Sequence, residues 1–418
     1  MRILVVSNFY PPHVIGGYEI GCRDIVEGLK SRGHAVSVLT SSYGLTRPEQ
    51  SDHVYRWLQT DMALRINGSS ADLPKIVWKE SVNRRAFDRV CRSLLPDVVH
   101  VWNPTHISLS IAVRAQQMGL PVCYFVSDHW LSRWDSDALY SLKHRRPRRI
   151  GRRLIWKPLI TLLNISGFLP GDDPDLSHVQ FASRYLKRAA LESHRSVADA
   201  EVIHWGIDVE RFPFNRVTHS PTRLLYVGQL TSLKGVHTAV EALELLVKDP
   251  SHRSTLLTIV GGPDYNDRIH RLVSSLGLES NVRFTGLISR DRLPVLYKSH
   301  DILLFPSVWD EPFSIALLEG MSSGLAVVGT ATGGSSEILE DEFNALIFPK
   351  QDAEACARQI ARVIEDPELL ETIRRNGRKT VEGRFRLEDM VDRIDQSLKN
   401  LVGVPTTRVV EASGPICA

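Results

Sequence analysis

A chain of 418 residues is too long for one hydrophobic core and suits two domains. Its 43% hydrophobic and 24% charged residues are those of an ordinary soluble protein, and a net charge of +3 gives no global reason to invoke nucleic acid. The five scattered cysteines, without a Cys-x-x-Cys or Cys/His cluster, indicate neither a disulfide framework nor a structural zinc site, and fit reduced thiols in the cytoplasm. The N-terminal apolar run, residues 3–6, is too short for a secretory signal. No stretch reaches the roughly 18 apolar residues of a membrane-spanning helix.

In chain order, residues 3–6 read as a buried strand and 8–17 as a loop ending in Gly16-Gly17. Residues 18–32 read as a helix stopped by Gly33, and 36–39 as the next strand. Strand, loop, helix and strand in that order open a parallel doubly wound sheet. Further strands are expected at 98–101, 122–126, 179–182 and 201–203, with a helix at 107–118. The same unit starts again near residue 222. Strand 223–228, loop 229–235 and helix 236–248 lead to strand 256–261 and helix 265–276, then to strands 282–284, 302–305 and 326–328. Helices are expected at 353–365, 368–375 and 387–401, the second entered by Pro367 and stopped by Gly377. The fold class is therefore α/β, with two similar Rossmann-like domains, and the cleft between their strand ends is where chemistry belongs. The polar, proline-bearing stretch 206–221 suits the domain boundary.

The stretch Glu311-Pro-Phe-Ser-Ile-Ala-Leu-Leu-Glu319 follows the strand at 302–305. Pro312 fits the first position of a helix over 313–323, and Gly324 fits its stop. Eight residues separate Glu311 from Glu319, about 12 Å along a helix, with both side chains within about 80° around its axis. One extended polar ligand can touch both; the plainer reading is a carboxylate near a helix start and a surface glutamate. The loop Gly228-Gln-Leu-Thr-Ser-Leu-Lys-Gly235 joins a strand to a helix, and there backbone N–H groups and Lys234 can hold a diphosphate. The plainer reading is a turn with a solvated lysine. Gly333-Gly-Ser-Ser-Glu337 and Gly16-Gly17 are two more small-residue helix starts. No G-x-G-x-x-G follows a strand and no Walker A loop is present, so dinucleotide cofactors have little support.

These motifs together resemble retaining glycosyltransferases of family 4, which have the two-domain GT-B fold. The resemblance runs from residue 1 to about 400 and is most specific at residues 228–235 and 311–319. It implies an acceptor-binding domain at 1–205 and a nucleotide-sugar-binding domain at 206–385. A helix at 386–401 would cross back to the first domain, with a mobile tail at 402–418. It also implies a nucleotide-sugar donor, a glycan, glycolipid or lipid-linked acceptor, no metal and no cofactor. Lys234 would neutralise the leaving diphosphate, Glu311 would bond sugar hydroxyls, and Glu319 the ribose hydroxyls. Gly16, Gly17, Gly228, Gln229, Phe313, Ser314, Ile315, Gly333 and Gly334 would be donor contacts, and the backbone of Leu287 and Ile288 would meet the base.

Two positions depart from the family pattern. Gln229 stands where an arginine is usual, which offers one neutral amide in place of a charged fork and leaves Arg290 or Lys298 as a compensating cation. Ser127 stands where a histidine is frequent, with Asp128 or His129 as a substitute. His100 is a further candidate on the acceptor side. The pairs Asp135/Asp137 and Asp173/Asp175 read as turns rather than metal ligands. Residues 143–157 carry eight Lys/Arg and no acid, among them Arg145, Arg148 and Arg152, together with Trp156. That segment fits an anionic membrane surface or an anionic acceptor, or else a solvated basic helix. The rival readings are a nucleotide-sugar-binding partner subunit with little activity and a GT-B-fold sugar-nucleotide epimerase.

Overall fold

A computed structural model describes residues 1–64, 72–134, 161, 173–193, 195–215, 222–262, 264 and 267–403. Arg145, Arg148, Arg152 and Trp156, the Asp135/Asp137 pair and the tail beyond residue 403 lie outside the described residues. Among the described residues, no helix is long and apolar enough to cross a membrane.

The first sheet contains β1 (Arg2–Ser7), β2 (Ala35–Ser41), β3 (Glu49–Ser51), β4 (Val54–Leu58), β5 (Val98–Asn103), β6 (Val122–Val126), β7 (Val179–Phe181) and β8 (Glu201–Val202). Their spatial order is β3-β4-β2-β1-β5-β6-β7-β8. The second contains β9 (Arg223–Val227), β10 (Leu256–Val260), β11 (Val282–Gly286), β12 (Ile302–Phe305), β13 (Ala326–Gly329) and β14 (Leu346–Ile347), in the order β11-β10-β9-β12-β13-β14. Strand neighbours are parallel except β3 and β4. The near-continuous Val/Ile/Leu runs of the central strands are buried on both faces, as helix-covered parallel strands require. Chain direction across the sheet reverses between β1 and β5 and again between β9 and β12. A crevice opens outside the carboxyl ends at each reversal.

The two α/β units are as expected, with local corrections. The helix expected at 368–375 runs Pro367–Arg384, because Gly377 packs against Met321 instead of ending it. The last helix, Leu387–Gly403, reaches two residues beyond 401. Helix Leu73–Leu94 and strands β3, β4 and β14 were not anticipated. The helix after β12 is Ile315–Ser322, not 313–323. Ser314, in extended conformation, accepts the N–H of Leu317 and caps it, so Pro312 and Phe313 lie ahead of the helix. Glu311 and Glu319 therefore do not share one helix axis.

The chain crosses between the sheets twice at one place. Ile207 pairs with Arg386, and a Cβ on Gly206 would stand 2.2 Å from the Arg386 carbonyl oxygen. After that crossing, helix Leu387–Gly403 sends Met390, Val391, Ile394, Leu398 and Leu401 into the first sheet's core. Gly28 lets that helix approach, since a Cβ there would meet Val391 at 2.6 Å.

Candidate active site

The site is built at the strand reversals. After β9, the loop turns through Gly235 at φ 68°, where a Cβ would strike the Pro306 carbonyl oxygen at 1.8 Å. Only glycine accepts both the dihedral and the contact. The Leu233 carbonyl in turn accepts the N–H groups of Val308 and Trp309, at 2.9 and 3.2 Å. These bonds lock the loops after β9 and β12 together and bring Lys234 onto Glu311. The Lys234 Nζ donates to both Glu311 oxygens at 2.8 Å. The Ser307 hydroxyl donates to Glu311 Oε1 at 2.7 Å and fixes the carboxylate. The Glu311 side chain is 3% exposed and that of Lys234 29%, so the lysine is the more open of the pair. Lys234 also lies 5.6 Å from the Trp309 ring centre, within cation–π reach.

Glu319 is a second buried carboxyl. It accepts from the Tyr297 hydroxyl at 3.1 Å and has the Arg290 guanidinium at 3.8 Å. Burial pushes its carboxyl up to about 7, against the Arg290 charge and the tyrosine bond. Arg290 also donates to Asp24 of the first domain at 2.8 Å, so its charge is shared between Glu319 and a contact across the cleft. Gln229 donates to the Ile15 carbonyl at 3.4 Å. Gly16 gives its N–H to the buried Glu19 carboxylate, and Gly17 caps helix Tyr18–Ser31, where a Cβ would stand 3.0 Å from the Ile315 side chain. Burial raises the Glu19 carboxyl despite the N–H groups of Ile15 and Gly16.

Other sequence candidates have plainer surroundings. Gly333 and Gly334 face the backbone of residues 310–312, where a Cβ on either would stand within 2.5 Å of a carbonyl oxygen. Their 3-10 turn, Gly333–Glu337, thus packs the Glu311 loop from behind. Phe313 stacks on His204 and packs edge-on to Phe385. Leu287 is 82% exposed beside the partly buried Ile288 at the end of β11. Gly228 closes β9 by donating to the Val260 carbonyl. Asp175 accepts from Ser177 in a turn, as its spacing indicates.

His100 does not reach the cleft. It is fully buried in β5 beside Trp102, whose indole donates to its Nδ1 at 3.3 Å, and burial lowers its pKa to about 4. Asp128 and His129, at the end of β6, do reach it. Asp128 accepts from Asn103 Nδ2 at 2.7 Å and from the Trp130 N–H at 2.8 Å, and burial raises its carboxyl. His129 lies edge-on to Tyr185 and to Trp309 of the second domain, and burial lowers its pKa. Ser127 is buried.

Beside these two residues lies a cavity of about 370 Å³, lined by both domains. Its wall adds Asp61, His106, Arg133 and three tryptophans, Trp130, Trp134 and Trp309, none of them singled out from the sequence. The signals present were the position of Trp309 two residues ahead of Glu311 and that of His106 just past β5. Glu337, expected in a ligand turn, instead binds the first domain. It accepts the N–H groups of Arg184 and Tyr185 and bonds His204 at 2.8 Å. Burial raises its carboxyl, but His204 and the two N–H groups outweigh that and hold it below its ordinary value. One metal-capable trio occurs among the described residues, Asp264, Asp267 and His270, where Asp264 accepts the N–H groups of Ile269 and His270 at a helix start.

Comparison with known proteins agrees with the two-domain fold. Residues 209–380 match the family "Glycosyl transferases group 1", and residues 16–158 match "Glycosyl transferase 4-like domain". An uncharacterised glycosyltransferase of Methanocaldococcus jannaschii is 25% identical over 93% of this chain and 96% of its own length. Sucrose-phosphate synthase from Thermosynechococcus elongatus superimposes with a TM-score of 0.70 at 22% identity, over 96% of this chain and 98% of that one. Anabaena HepE, solved with UDP-glucose, gives 0.67 at 18% identity, over 96% and 100%. The chain therefore carries a glycosyl transferases group 1 domain and a glycosyl transferase 4-like domain on a GT-B fold.

Proposed function

We propose that the protein is a retaining glycosyltransferase that moves a sugar from a nucleoside-diphosphate sugar to an acceptor hydroxyl without a metal ion. The observation that carries this reading is Lys234, a partly exposed ammonium held by a buried carboxylate at the reversal of the second sheet. When the bond from sugar C1 to the diphosphate breaks, negative charge grows on the leaving group and positive charge on the sugar ring. A fixed cation beside the leaving oxygen stabilises that charge without reorganisation. Lys234 supplies the cation, Glu311 orients it, and Glu311 also accepts from sugar hydroxyls. Glu319, beside Arg290, accepts from the ribose. Gly16 and Gly17 let the donor approach from the first domain, and the Leu287–Ile288 backbone meets the base. The acceptor enters from the first domain, where Asp128 and His129 stand at the end of β6. The UDP-glucose bound in Anabaena HepE supports a uridine nucleotide as the first donor to try.

A thermal-shift screen of nucleotide sugars tests donor binding, because a ligand that binds only the folded state raises the melting point. NMR of the product of the best donor then reads the anomeric configuration. Turnover in EDTA tests metal independence. An inverted product, or activity abolished by EDTA and restored by a divalent cation, would overturn the corresponding part of the reading.

A further inference from the structure

The cavity of about 370 Å³ is of the size that holds a small molecule. Its lining has two chemistries side by side. Trp130, Trp134 and Trp309 supply indole surface, and Asp61, His106, Asp128, His129 and Arg133 supply hydrogen-bonding groups of both signs. A sugar ring needs this mixture, since it presents apolar C–H faces and a rim of hydroxyls that both donate and accept. A fatty chain would strip water from the carboxylates without replacing it. A phosphate would meet two carboxylates, Asp61 and Asp128, against the single Arg133 guanidinium, so the wall offers it no excess of positive charge.

The wall is also pre-shaped. His106 and Ser108 are non-glycine residues at φ 69° and 111°. Side-chain bonds impose that path: Asn103 accepts the Thr105 N–H at 2.9 Å, and Asn83 donates to the Ile107 carbonyl at 3.0 Å. His106 is thereby held 2.6 Å from Asp61 at the cavity. Strain maintained by surrounding structure is characteristic of binding sites. Finally, Trp309 is a wall of the cavity and also neighbours the Lys234 ammonium. The cavity therefore shares one wall residue with the surroundings of the leaving-group cation.

We infer that the cavity seats a neutral sugar ring as the acceptor, between the indoles of both domains, with Asp61 and His106 bonding its hydroxyls. This rests on the transferase reading above and narrows its acceptor from glycan or lipid-linked to a sugar recognised as a ring. The full chain with UDP present is tested by saturation-transfer NMR against methyl α-glucoside, methyl α-mannoside and methyl β-galactoside. Glucose 6-phosphate and phosphatidylglycerol vesicles are the charged and lipid arms. Saturation of ring protons of at least one methyl glycoside is expected, weakened about tenfold in His106→Asn, where asparagine tolerates the left-handed backbone and the imidazole bond is lost. Trp309→Ala should weaken it as well. Silent glycosides, glycoside binding indifferent to both substitutions, or binding of only the phosphate or the vesicles would each overturn the inference. The UDP-induced melting shift of the same samples reads the donor site separately. If that shift is absent while glycosides bind, the acceptor assignment falls together with the transferase reading.

Discussion

Lys234 and Glu311 hold each other in a state neither would keep alone. Replacing Lys234 by alanine leaves the buried Glu311 carboxylate without its cation and still bonded by the Ser307 hydroxyl. We expect Lys234→Ala to lose about 1–3 kcal/mol of stability in urea unfolding and to lower transfer about a hundredfold or more. Adding Glu311→Gln should restore much of the stability and none of the transfer. A Lys234→Ala enzyme with normal stability and turnover would remove the pair from the site. Glu319 gives a pH signature. Its carboxyl titrates near 7 in the folded protein and at the ordinary 4.5 when unfolded. Between those values the folded state keeps a proton that the unfolded chain has released. Stability contributed by Glu319 is therefore full below 4.5, falls as pH rises through the window, and is flat above it. Melting curves of the wild type and Glu319→Gln should diverge across that window, and parallel curves would show that another group is responsible.

The helix after β12 shows which local rule prevails when two compete. A proline at the first helical position and a serine cap both fit residues 312–314. The serine prevails because its side chain satisfies the Leu317 N–H, while the Pro312 carbonyl accepts from Ser183 of the first domain at 2.7 Å. Ser314→Ala should cost about 1 kcal/mol in chemical unfolding. The turn before helix Val236–Val247 tolerates less. Gly235→Ala combines a left-handed backbone with a clash on the Pro306 carbonyl, and should cost about 3 kcal/mol and displace Lys234. A fully stable Gly235→Ala chain would mean that the two loops are not locked to each other as described.

Among the described residues, three of the contact sets between the two domains differ in kind. The crossing at Ile207 and Arg386 is held by backbone bonds, from the Ile207 N–H to the Phe385 carbonyl at 3.0 Å and from the Leu387 N–H to the Ile207 carbonyl at 2.9 Å. Glu337 clasps the start of helix Arg184–Glu192 and His204, near that crossing in sequence. Arg290–Asp24 and Gln229–Ile15 span the cleft at helix Tyr18–Ser31 and the loop before it. The first is a half-buried ion pair and the second a neutral amide bond at 3.4 Å, and bonds of these kinds contribute about 1 kcal/mol each, which suits a contact that opens and closes. Asp24→Asn should leave the melting point nearly unchanged while raising the radius of gyration in nucleotide-free small-angle scattering, with UDP reversing the increase. An unchanged radius would show that the pair does not hold the cleft.

Local information was enough for the double fold and for the Lys234 loop. Val/Ile/Leu runs, glycine stops and small-residue helix starts act over a few residues, and each is written in consecutive positions. It was also enough to mark Glu311 and Glu319, though not their geometry, because competing caps are decided by what the neighbouring Pro312 carbonyl meets. Helix Leu73–Leu94 and strand β3 escaped because their polar residues blur the period that reveals a buried face. The cavity could not be read in advance. Asp61, His106 and His129 come from three separate stretches that the first sheet's topology gathers, and Trp309 joins them from the second domain because the double crossing and its clasps set the angle between the sheets. That angle depends on long-range packing, which no run of neighbouring residues encodes.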